Sequence, residues 1–401
     1  MLIHKMLLGG TLLLTVALTA HPSAARPLAT LIPGLYGADG ITLATDPAAS
    51  HAAHFSVATT ASINRFNDQI KSQIGTFPFS STASGFTFEF DPMLGTFLRT
   101  TDTLGPLFAE RASPLGRGKL NLHMSYTFFT YDTFAGKSLS NFSVIARHEP
   151  DIIGFPDVRE QFEQDTILIQ LNIKLRVQVL ALAATYVVTD RLDVGFMIPI
   201  TNVDMDVHSH ASTMVSPNNT LFPNVHRFGG PDAPDDSASG HAFGVGDVVL
   251  RAKYQLLKSD AVDLAAAFLT KLATGSQQNF LGTGTTTLRP FLVASRTFWS
   301  VLTPHVKLGY EFNLDRGHQS ALHYVVGFDV GNATLTAAAE LLGSHAPSGT
   351  GIGDDILTGS FGVKWNPWKQ LLLLANAQVP FNRNSGLRSD LVLTFVAEYS
   401  F

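Results

Sequence analysis

The chain has 401 residues and a formal charge of −5, and 45% of its residues are hydrophobic whereas only 15% are charged. This apolar composition, with a mean hydropathy of +0.17, excludes a disordered chain and is sufficient for a large core. The negative charge provides no basic surface for nucleic acid, and the absence of cysteine excludes disulfide frameworks, thiolate metal sites and cysteine nucleophiles.

The first 25 residues have the composition of a secretory signal peptide. Lys5 supplies the positive charge, residues 6–20 form a short apolar stretch, and cleavage is expected after Ala25 or Ala20. The apolar stretch is shorter than the ~20 residues that a transmembrane helix requires, and no other stretch reaches about 18. The sequence therefore predicts an exported protein with residues 1–25 as signal peptide, and it excludes inner-membrane helices.

Residues 26–117 form an amino-terminal segment that lacks the pattern of the rest of the chain. Between Ser56 and Phe77 apolar residues recur at helical spacing, and Pro78 would end that helix. The apolar positions are Ile63, Phe66, Ile70 and Ile74. Because the segment is too polar to span a membrane, we expect it to pack in the periplasm or to enter a barrel as a partial plug.

From residue 118 to 401, apolar and polar residues alternate with a period of two, as in β-strands with one apolar face. In the clearest stretch, that face carries Leu302, Pro304, Val306, Leu308, Tyr310 and Phe312. Such runs last about 12–14 residues, longer than the strands of soluble sandwiches and long enough for the roughly 9–11 tilted residues that cross a bilayer. The alternation also explains why a chain with so few charged residues has no long apolar run: its apolar residues are separated from one another by polar ones.

The connections between these strands alternate between tight and long. Tight turns fall near residues 190, 259, 299, 331 and 367, and the longest connections fall at 133–164, 209–242, 275–284 and 344–355. Outer-membrane barrels have short periplasmic turns and longer outer loops. We therefore predict an all-β fold, a transmembrane antiparallel β-barrel at 118–401 preceded by the partly helical periplasmic or plug segment at 26–117.

The expected strand count is twelve, an even number, as in single-chain bacterial barrels. A hairpin of residues 85–90 with 95–99 would raise the count to fourteen. The predicted strands cover 118–132, 166–189, 191–208, 244–257, 261–274, 285–298, 301–313, 320–330, 333–342, 356–365, 369–381 and 390–401.

Two of the strands change the phase of their apolar residues. In 166–189 these residues move from odd to even positions, which predicts a bulge near Val179 or, alternatively, a missed hairpin. In 191–208 the apolar residues move from even to odd positions after Ile200, which predicts a second bulge near Thr201.

The last strand ends on an aromatic residue. Its apolar face includes Phe395, Tyr399 and Phe401, which resembles the signal read by the bacterial outer-membrane assembly machinery. The alternative is a soluble edge strand that ends in Phe. Together with the export signal, the strand predicts the bacterial outer membrane as the location, with outer-membrane lipid and the assembly machinery as partners.

Several stretches share a family pattern in their order along the chain. They are GLYGADGITL (34–43), residues 84–119, TDRLDVGFMIPI (189–200), GVGDVVLRAKYQLL (244–257), LGTGTTTLRPFLVASRTF (281–298) and PHVKLGYEFN (304–313). They resemble the bacterial MetA-pathway phenol-degradation-like transporter family of outer-membrane barrels. The resemblance covers most of the mature chain and implies uptake of small, often aromatic, compounds, with no catalytic residues.

The polar faces of the predicted strands would line the lumen. Both charge signs occur there, so neither strong anion nor strong cation selectivity is predicted, and pairing across the lumen explains the charges as well as an open pore does. The lumen-lining candidates are Lys174, Arg176, Asp247, Arg251, Lys253, Asp263, Lys271, His305, Lys307, Glu311, His323, Asp329, Lys364 and Glu398.

One polar column is a weak metal candidate. Asp204, Asp206, His208 and His210 share a strand face, and two imidazoles at His-x-His spacing can bind one divalent cation. A solvated strand at the rim of the barrel is the simpler interpretation.

The sequence favours a passive outer-membrane channel or transporter for a small-molecule solute, apolar or aromatic in character. No serine-hydrolase or zinc-protease motif occurs, so we predict neither an enzyme nor a cofactor. The alternative is a closed structural or adhesive barrel whose 209–242 surface loop contacts partners. The sequence does not determine the substrate, whether the pore is open, or the oligomeric state.

Overall fold

One α-helix precedes a strand-rich region that begins near residue 120. The structure, a computed structural model, describes residues 26–401 except 38, 45–54, 75–80, 82–84, 92, 94–95, 101, 149–163, 221–223, 225, 229–233, 349–354 and 369. The signal peptide predicted at 1–25 lies outside the described residues. In the ranges that the structure covers, no helix has the length and apolar character needed to cross a membrane.

The helix α1 spans Ser56–Gln73, and nineteen strands occur among the described residues. They are β1 Phe88–Asp91, β2 Thr96–Arg99, β3 Leu120–Tyr131, β4 Thr133–Phe134, β5 Lys137–Ser138, β6 Phe142–Arg147, β7 Thr166–Val187, β8 Leu192–Met214, β9 Asp235–Val245, β10 Val249–Leu257, β11 Asp263–Lys271, β12 Thr287–Ser295, β13 Leu302–Asn313, β14 Ala321–Gly331, β15 Leu335–His345, β16 Asp355–Trp368, β17 Leu371–Pro380, β18 Leu387–Arg388 and β19 Val392–Ser400.

Twelve of these strands close an antiparallel β-barrel. Around the barrel, β3, β7 and β8 are followed by β10 to β17 in order, and β19 joins β17 to β3. Each of the twelve therefore has a hydrogen-bonded neighbour on both sides, which a membrane demands because lipid offers no hydrogen bonds. The twelve strands correspond in order to those predicted from the alternation, and the predicted fold class is confirmed.

Apolar side chains cover the outside of the barrel, and polar side chains face its inside. Along β13, Val306, Leu308 and Phe312 are 40%, 50% and 46% exposed, whereas Thr303 and His305 are buried. The alternation inferred from the sequence thus has its apolar phase outward. An apolar exterior around a polar interior is the arrangement of a transmembrane β-barrel, whose apolar face is covered by lipid.

The two ends of the barrel differ in the length of their connections. At the short-turn end the strands are joined by residues 188–191, 258–262, 296–301, 332–334 and 369–370. At the long-loop end they are joined by 132–165, 215–234, 272–286, 314–320, 346–354 and 381–391. The predicted alternation of tight and long connections is confirmed.

The connection between β12 and β13 turns on two residues in the left-handed conformation. Trp299 and Ser300 have φ angles of 53° and 55°, and Val301 N–H donates to the Phe298 carbonyl at 3.1 Å. Positive φ at both central positions is the type I′ turn, which matches the twist of a hairpin. The turn leaves Trp299 exposed at the short-turn end of the barrel.

Beside the barrel proper, β7 and β8 continue past the long-loop end. They are 22 and 23 residues long, whereas β10, β11 and β12 have 9 each. There β6 pairs with residues 166–171 of β7, and β9 pairs with residues 200–210 of β8. We call this four-stranded sheet the extended wall. Its edge strands β6 and β9 lie in regions that the sequence analysis assigned to long connections.

Neither of the two predicted bulges is present. The register of β7 with β8 runs without a shift from Thr166 and Met214 to Val187 and Asp193. The odd-numbered residues of β7 face inward from Ile167 onward. In the extended wall the inward face packs on protein and is apolar, whereas the outward face projects past the apolar band and is polar. The apolar residues therefore change from one strand face to the other without a change of register. The alternative prediction, a missed hairpin within 166–189, is also wrong, because β7 is one continuous strand.

The candidate hairpin forms but does not join the barrel. β1 pairs with β2 in a separate two-stranded sheet. A count of fourteen through this hairpin is therefore wrong. The main sheet does have fourteen strands in the described residues, but the two beyond the closed twelve are β6 and β9 of the extended wall.

The predicted helix is α1, which ends at Gln73. Ile63, Phe66 and Ile70 are at most 4% exposed, and they share one apolar cluster with the inward residues of β7 and β8. The helix therefore lies against the inner face of the extended wall, which explains why that face is apolar.

Candidate functional site

Part of the amino-terminal segment lies inside the barrel. We call residues 81–117, as far as they are described, the lumen segment. Phe86 and Leu104 are buried in one cluster with Val187 of β7 and Leu372 of β17. A second cluster joins the segment to β14, β15, β17 and β19. The segment therefore contacts the barrel wall on several sides.

Glu340, on β15, holds the lumen segment by its backbone. Its carboxylate accepts hydrogen bonds from the N–H groups of Leu107 and Phe108 at 2.8 and 2.7 Å. On its other side His305 Nε2 lies 3.0 Å from Glu340 Oε1, and His305 Nδ1 lies 3.4 Å from Asp329 Oδ1. All three side chains are buried, and charged hydrogen bonds are roughly twice as strong as neutral ones. The cluster therefore fixes the middle of the segment.

Two lysines bind carbonyl groups of the same segment from other strands. Lys364 Nζ on β16 donates to the Pro106 carbonyl at 2.5 Å, and Lys253 Nζ on β10 donates to the Arg111 carbonyl at 2.6 Å. Both lysine side chains are buried. They are engaged by the lumen segment and do not face an open, water-filled pore.

Arg251, on β10, joins a carboxylate of the lumen segment to one of the barrel. Its Nε lies 3.0 Å from Glu110 Oε2, and its Nη1 lies 2.5 Å from Asp193 Oδ1. Burial by itself raises the pKa of Glu110, but the attraction of Arg251 and Lys307 outweighs it and lowers that pKa to about 2. Glu110 is therefore ionised at neutral pH, and its ion pair with Arg251 attaches the lumen segment to the barrel wall.

A cavity of about 900 Å³ lies between the lumen segment and α1. Residues 68–73 of α1 border it on the long-loop side, and Phe108 and Glu110 of the lumen segment border it on the other. Aromatic rings from β3 and β12, those of Phe129 and Phe291, form part of its lining. Cavities of roughly 300–1,000 Å³ with a mostly apolar lining and a few polar groups are typical ligand sites.

Charged side chains from neighbouring strands also face this cavity. Arg289 Nε on β12 donates to Glu311 Oε2 on β13 at 3.0 Å. Lys307 Nζ lies 4.4 Å from the centre of the Phe291 ring, a cation–π contact. Lys271, at the end of β11, reaches the same space. The site thus combines aromatic rings with cations.

Twelve of the fourteen predicted lumen residues face the interior. They are Asp247, Arg251, Lys253, Asp263, Lys271, His305, Lys307, Glu311, His323, Asp329, Lys364 and Glu398. The prediction is wrong for Lys174 and Arg176, which are exposed on the outward face of β7 opposite Asp206 and Asp204. They lie outside because the apolar residues of the extended wall face inward, toward α1.

The proposed metal column lies on the outer surface of the extended wall. Asp204, Asp206, His208 and His210 do share one face of β8, but they are spaced along an extended strand. His241 Nδ1 lies 3.0 Å from Asp204 Oδ1, and His210 Nδ1 lies 2.6 Å from Asp235 Oδ1. Within the part of the chain that is described, no three His, Asp or Glu side chains are grouped as metal ligands. The metal interpretation is therefore not supported.

The aromatic residues of the closing strand face outward. Phe395, Tyr399 and Phe401 are 49%, 39% and 54% exposed. Phe401 N–H donates to the Leu120 carbonyl at 2.8 Å, so the last residue lies beside the first barrel strand. Their role as an assembly signal stays a prediction.

Four charged residues of the interior are absent from the predicted lumen set, namely Glu110, Asp193, Arg289 and Glu340. Asp193, Arg289 and Glu340 alternate in phase with other inward residues, so the phase of their strands could have identified them. Glu110 lies in a segment without alternation, and no local pattern marks it.

Comparison with known proteins finds one matching family model and several distantly similar structures. The family model described as putative MetA-pathway of phenol degradation matches residues 163–392. An outer membrane channel from Pseudomonas putida F1 has 13% identity and a TM-score of 0.46, with 72% of this chain and 98% of that chain covered. The Ralstonia pickettii toluene transporter TbuX has 12% identity and a TM-score of 0.37, with coverage of 71% and 90%. The P. putida toluene transporter TodX has 11% identity and a TM-score of 0.34, with 71% of this chain and 89% of that chain covered. No curated protein sequence matches the chain.

Proposed function

The chain belongs to the family described as putative MetA-pathway of phenol degradation, and we propose that it is a passive outer-membrane channel for small aromatic or other apolar compounds. The observation that carries the proposal is a closed transmembrane barrel that encloses a cavity of about 900 Å³ lined in part by aromatic rings. Such a cavity offers a one-ring solute a binding place between the two sides of the membrane. The function requires no catalytic residue and no cofactor.

The location that fits this architecture is the bacterial outer membrane, with the long-loop end outside the cell. Outer-membrane barrels turn tightly in the periplasm and carry longer loops outside. In this orientation α1 and the extended wall lie at the outer surface, and the lumen segment lies between the cavity and the periplasm. A solute would enter among the long loops and leave past the lumen segment.

The lumen segment would act as the plug of this channel. It contacts several sides of the wall and is held by buried charges, so passage of a solute requires it to shift. In the corresponding division of the chain, residues 1–25 are the signal peptide, 26–117 the plug and its outer helix, and 118–401 the barrel. Outer-membrane lipid and the assembly machinery would be the partners.

Solute uptake by proteoliposomes tests the proposal. Vesicles containing the mature protein should take up radiolabelled benzamide faster than protein-free vesicles. A variant that lacks residues 85–113 should be faster still, because the plug is removed. Heat-modifiable migration in gels confirms that each barrel is folded. No protein-dependent uptake by either folded protein would disprove the channel.

A closed adhesive barrel is the second candidate, and the many contacts of the lumen segment with the wall favour it. The 209–242 region, which includes parts of β8 and β9, would then bind a partner at the outer surface. Deleting residues 216–233 should in that case abolish adhesion of cells that display the protein. A channel instead requires benzamide uptake, whether or not that loop is present.

A further inference from the structure

The cavity in the lumen carries an excess of positive charge, although the whole chain is negative. Seven Lys or Arg residues line it against three Asp or Glu residues, whereas the formal charge of the chain is −5. Within a narrow space of low dielectric constant, charges of one sign focus their field on whatever enters. The excess of positive charge therefore favours a solute that carries a negative charge.

The two glutamates that face the cavity pair with arginines, whereas Lys271 is one of three cavity cations, with Arg316 and Arg388, that form no ion pair in the described part of the chain. Glu311 accepts from Arg289 at 3.0 Å, and Glu110 accepts from Arg251 at 3.0 Å. Lys271 forms no ion pair with any residue that the structure describes. Its charge faces the cavity without a counter-charge at contact distance.

Asp247 is not in contact with Lys271 either, and its carboxylate is held by a loop. It accepts hydrogen bonds from the Gly275 N–H at 3.0 Å and from both the N–H and the hydroxyl of Thr283 at 2.8 Å. These three bonds tie Asp247 to the connection between β11 and β12. The counter-charge for Lys271 would therefore come from a ligand.

Aromatic side chains line the same cavity as Lys271. Lys271, Phe291 and Lys307 lie on the successive strands β11, β12 and β13. The Phe291 ring lies under Lys307 Nζ, and Phe108 and Phe129 line other parts of the cavity. A planar ring can pack on these side chains while a negative group on its edge reaches Lys271.

We propose that the cavity selects aromatic solutes that carry one carboxylate, with Lys271 supplying the counter-charge. This substrate class rests on the proposed channel function and refines it. The ring occupies the apolar lining, and the carboxylate forms a charge-assisted hydrogen bond with Lys271. A neutral solute of the same shape gains only the first of these contacts, so charge distinguishes the two.

Binding of benzoate and its neutral isostere benzamide tests the proposal. Isothermal titration at pH 7 with the mature, folded protein should show benzoate binding at least tenfold more tightly than benzamide. Lys271→Met should weaken benzoate about tenfold and leave benzamide unchanged. Glu311→Gln should tighten benzoate, because it removes a negative charge that faces the same cavity. Lys258→Met is the matched control, since Lys258 is exposed at the short-turn end, and it should change neither affinity.

Two results would overturn the proposal. One is equal affinity for benzoate and benzamide, including no binding of either, and the other is a Lys271→Met effect that is the same for both solutes. Measuring the uptake of both solutes by proteoliposomes separates the channel function from the substrate class. Protein-dependent uptake without preference for benzoate would leave the channel function standing and reject the anionic substrate class. Uptake of neither solute would reject the channel, while titration still decides whether the cavity binds aromatic carboxylates.

Discussion

Three buried charged side chains of the barrel bind the backbone of the lumen segment. Glu340 accepts three backbone N–H groups, and Lys364 and Lys253 donate to backbone carbonyls. A segment without regular structure leaves backbone groups that must be satisfied when they are buried. The wall charges supply those partners, which explains why a lumen so rich in charge holds a plug.

Replacing Glu340 should loosen the plug. Glu340→Gln keeps the shape of the side chain but removes the charge from its hydrogen bonds, which costs about 1.5–3 kcal/mol. The population of the displaced segment should rise about tenfold to a hundredfold. Trypsin cleavage after Arg111 in the folded protein measures that population when opening is fast relative to cleavage. Glu311→Gln is the matched control, because Glu311 binds Arg289 and not the lumen segment. Equal cleavage of both variants and the wild type would contradict this account.

The attachment of Glu110 should depend on pH in a defined window. Its pKa is lowered from 4.5 to about 2 in the folded protein, so its stabilising effect is fully present above about pH 4.5. The effect is lost as the pH falls from about 4.5 toward 2, because the carboxylate is then protonated. Conductance in planar bilayers should therefore differ between wild type and Glu110→Gln at pH 7 and 5. The difference should shrink below pH 4.5, and a difference that grows on acidification would contradict the assignment.

Among the secondary-structure elements, β7 and β8 show how the surroundings set the polarity of a strand face. In the barrel their even-numbered residues, such as Leu182 and Phe196, face outward and are apolar. In the extended wall the same face carries Lys174 and Asp206, and the opposite face packs on α1. Lipid covers the outward face of these strands in the barrel, and water covers it in the extended wall. One uninterrupted strand therefore has an apolar outward face in its barrel part and a polar outward face in the extended wall.

Substitutions on the two faces of the extended wall should have opposite outcomes. Ile169→Asp places a charge in the buried contact with α1, where an unpaired charge costs about 3–5 kcal/mol. Gln170→Asp changes the adjacent outward residue and should cost at most about 0.5 kcal/mol. Urea unfolding of the protein in lipid vesicles measures both changes. Equal destabilisation by the two substitutions would disprove the orientation of this wall.

The closing strand β19 should determine how efficiently the barrel is assembled. Deleting Phe401 removes the last outward aromatic residue and should lower the amount of folded, heat-modifiable protein in the outer membrane severalfold. Phe381→Ala removes another exposed aromatic ring, at the long-loop end, and serves as control. A similar loss in both variants would indicate a general effect on stability instead of a signal in β19.

For the whole molecule, the positions of the tryptophans indicate where the barrel meets the membrane surface. The chain has three Trp, and Trp299, Trp365 and Trp368 are all exposed at or near the short-turn end. Aromatic residues form girdles at both interfaces of such barrels. The tryptophans therefore indicate the level of the periplasmic interface.

Fluorescence quenching by brominated lipids tests this depth. Lipids with bromine near the headgroup should quench the tryptophan fluorescence of the folded protein more strongly than lipids with bromine near the end of the acyl chain. Trp299→Phe should reduce the total fluorescence and keep the same order of quenching. Stronger quenching from the chain end would place the short-turn end in the middle of the bilayer and contradict the orientation.

Twelve strands, the alternation of tight and long connections, and helix α1 could all be predicted from the sequence. Each of these features shows as a pattern among residues that are close in the sequence, so it can be recognised without knowing which distant residues are in contact. Lys253 and Lys364 were correctly assigned to the lumen for this reason. Lys174 and Arg176 were not, because their assignment required knowing that α1 covers the opposite face of β7.

The sequence by itself determined a membrane barrel, because the period-two runs are longer than the strands of soluble sandwiches and are joined by alternating tight and long connections. Only the tertiary structure decided what lies inside the barrel. The lumen segment has no repeating pattern, and its contacts with Glu340, Lys253 and Lys364 join residues more than a hundred positions apart. The cavity between this segment and α1 is lined by side chains from several strands. Its positive charge depends on which of these side chains pair with one another, and that pairing depends on distances in the folded protein, which the order of the residues in the sequence does not reveal.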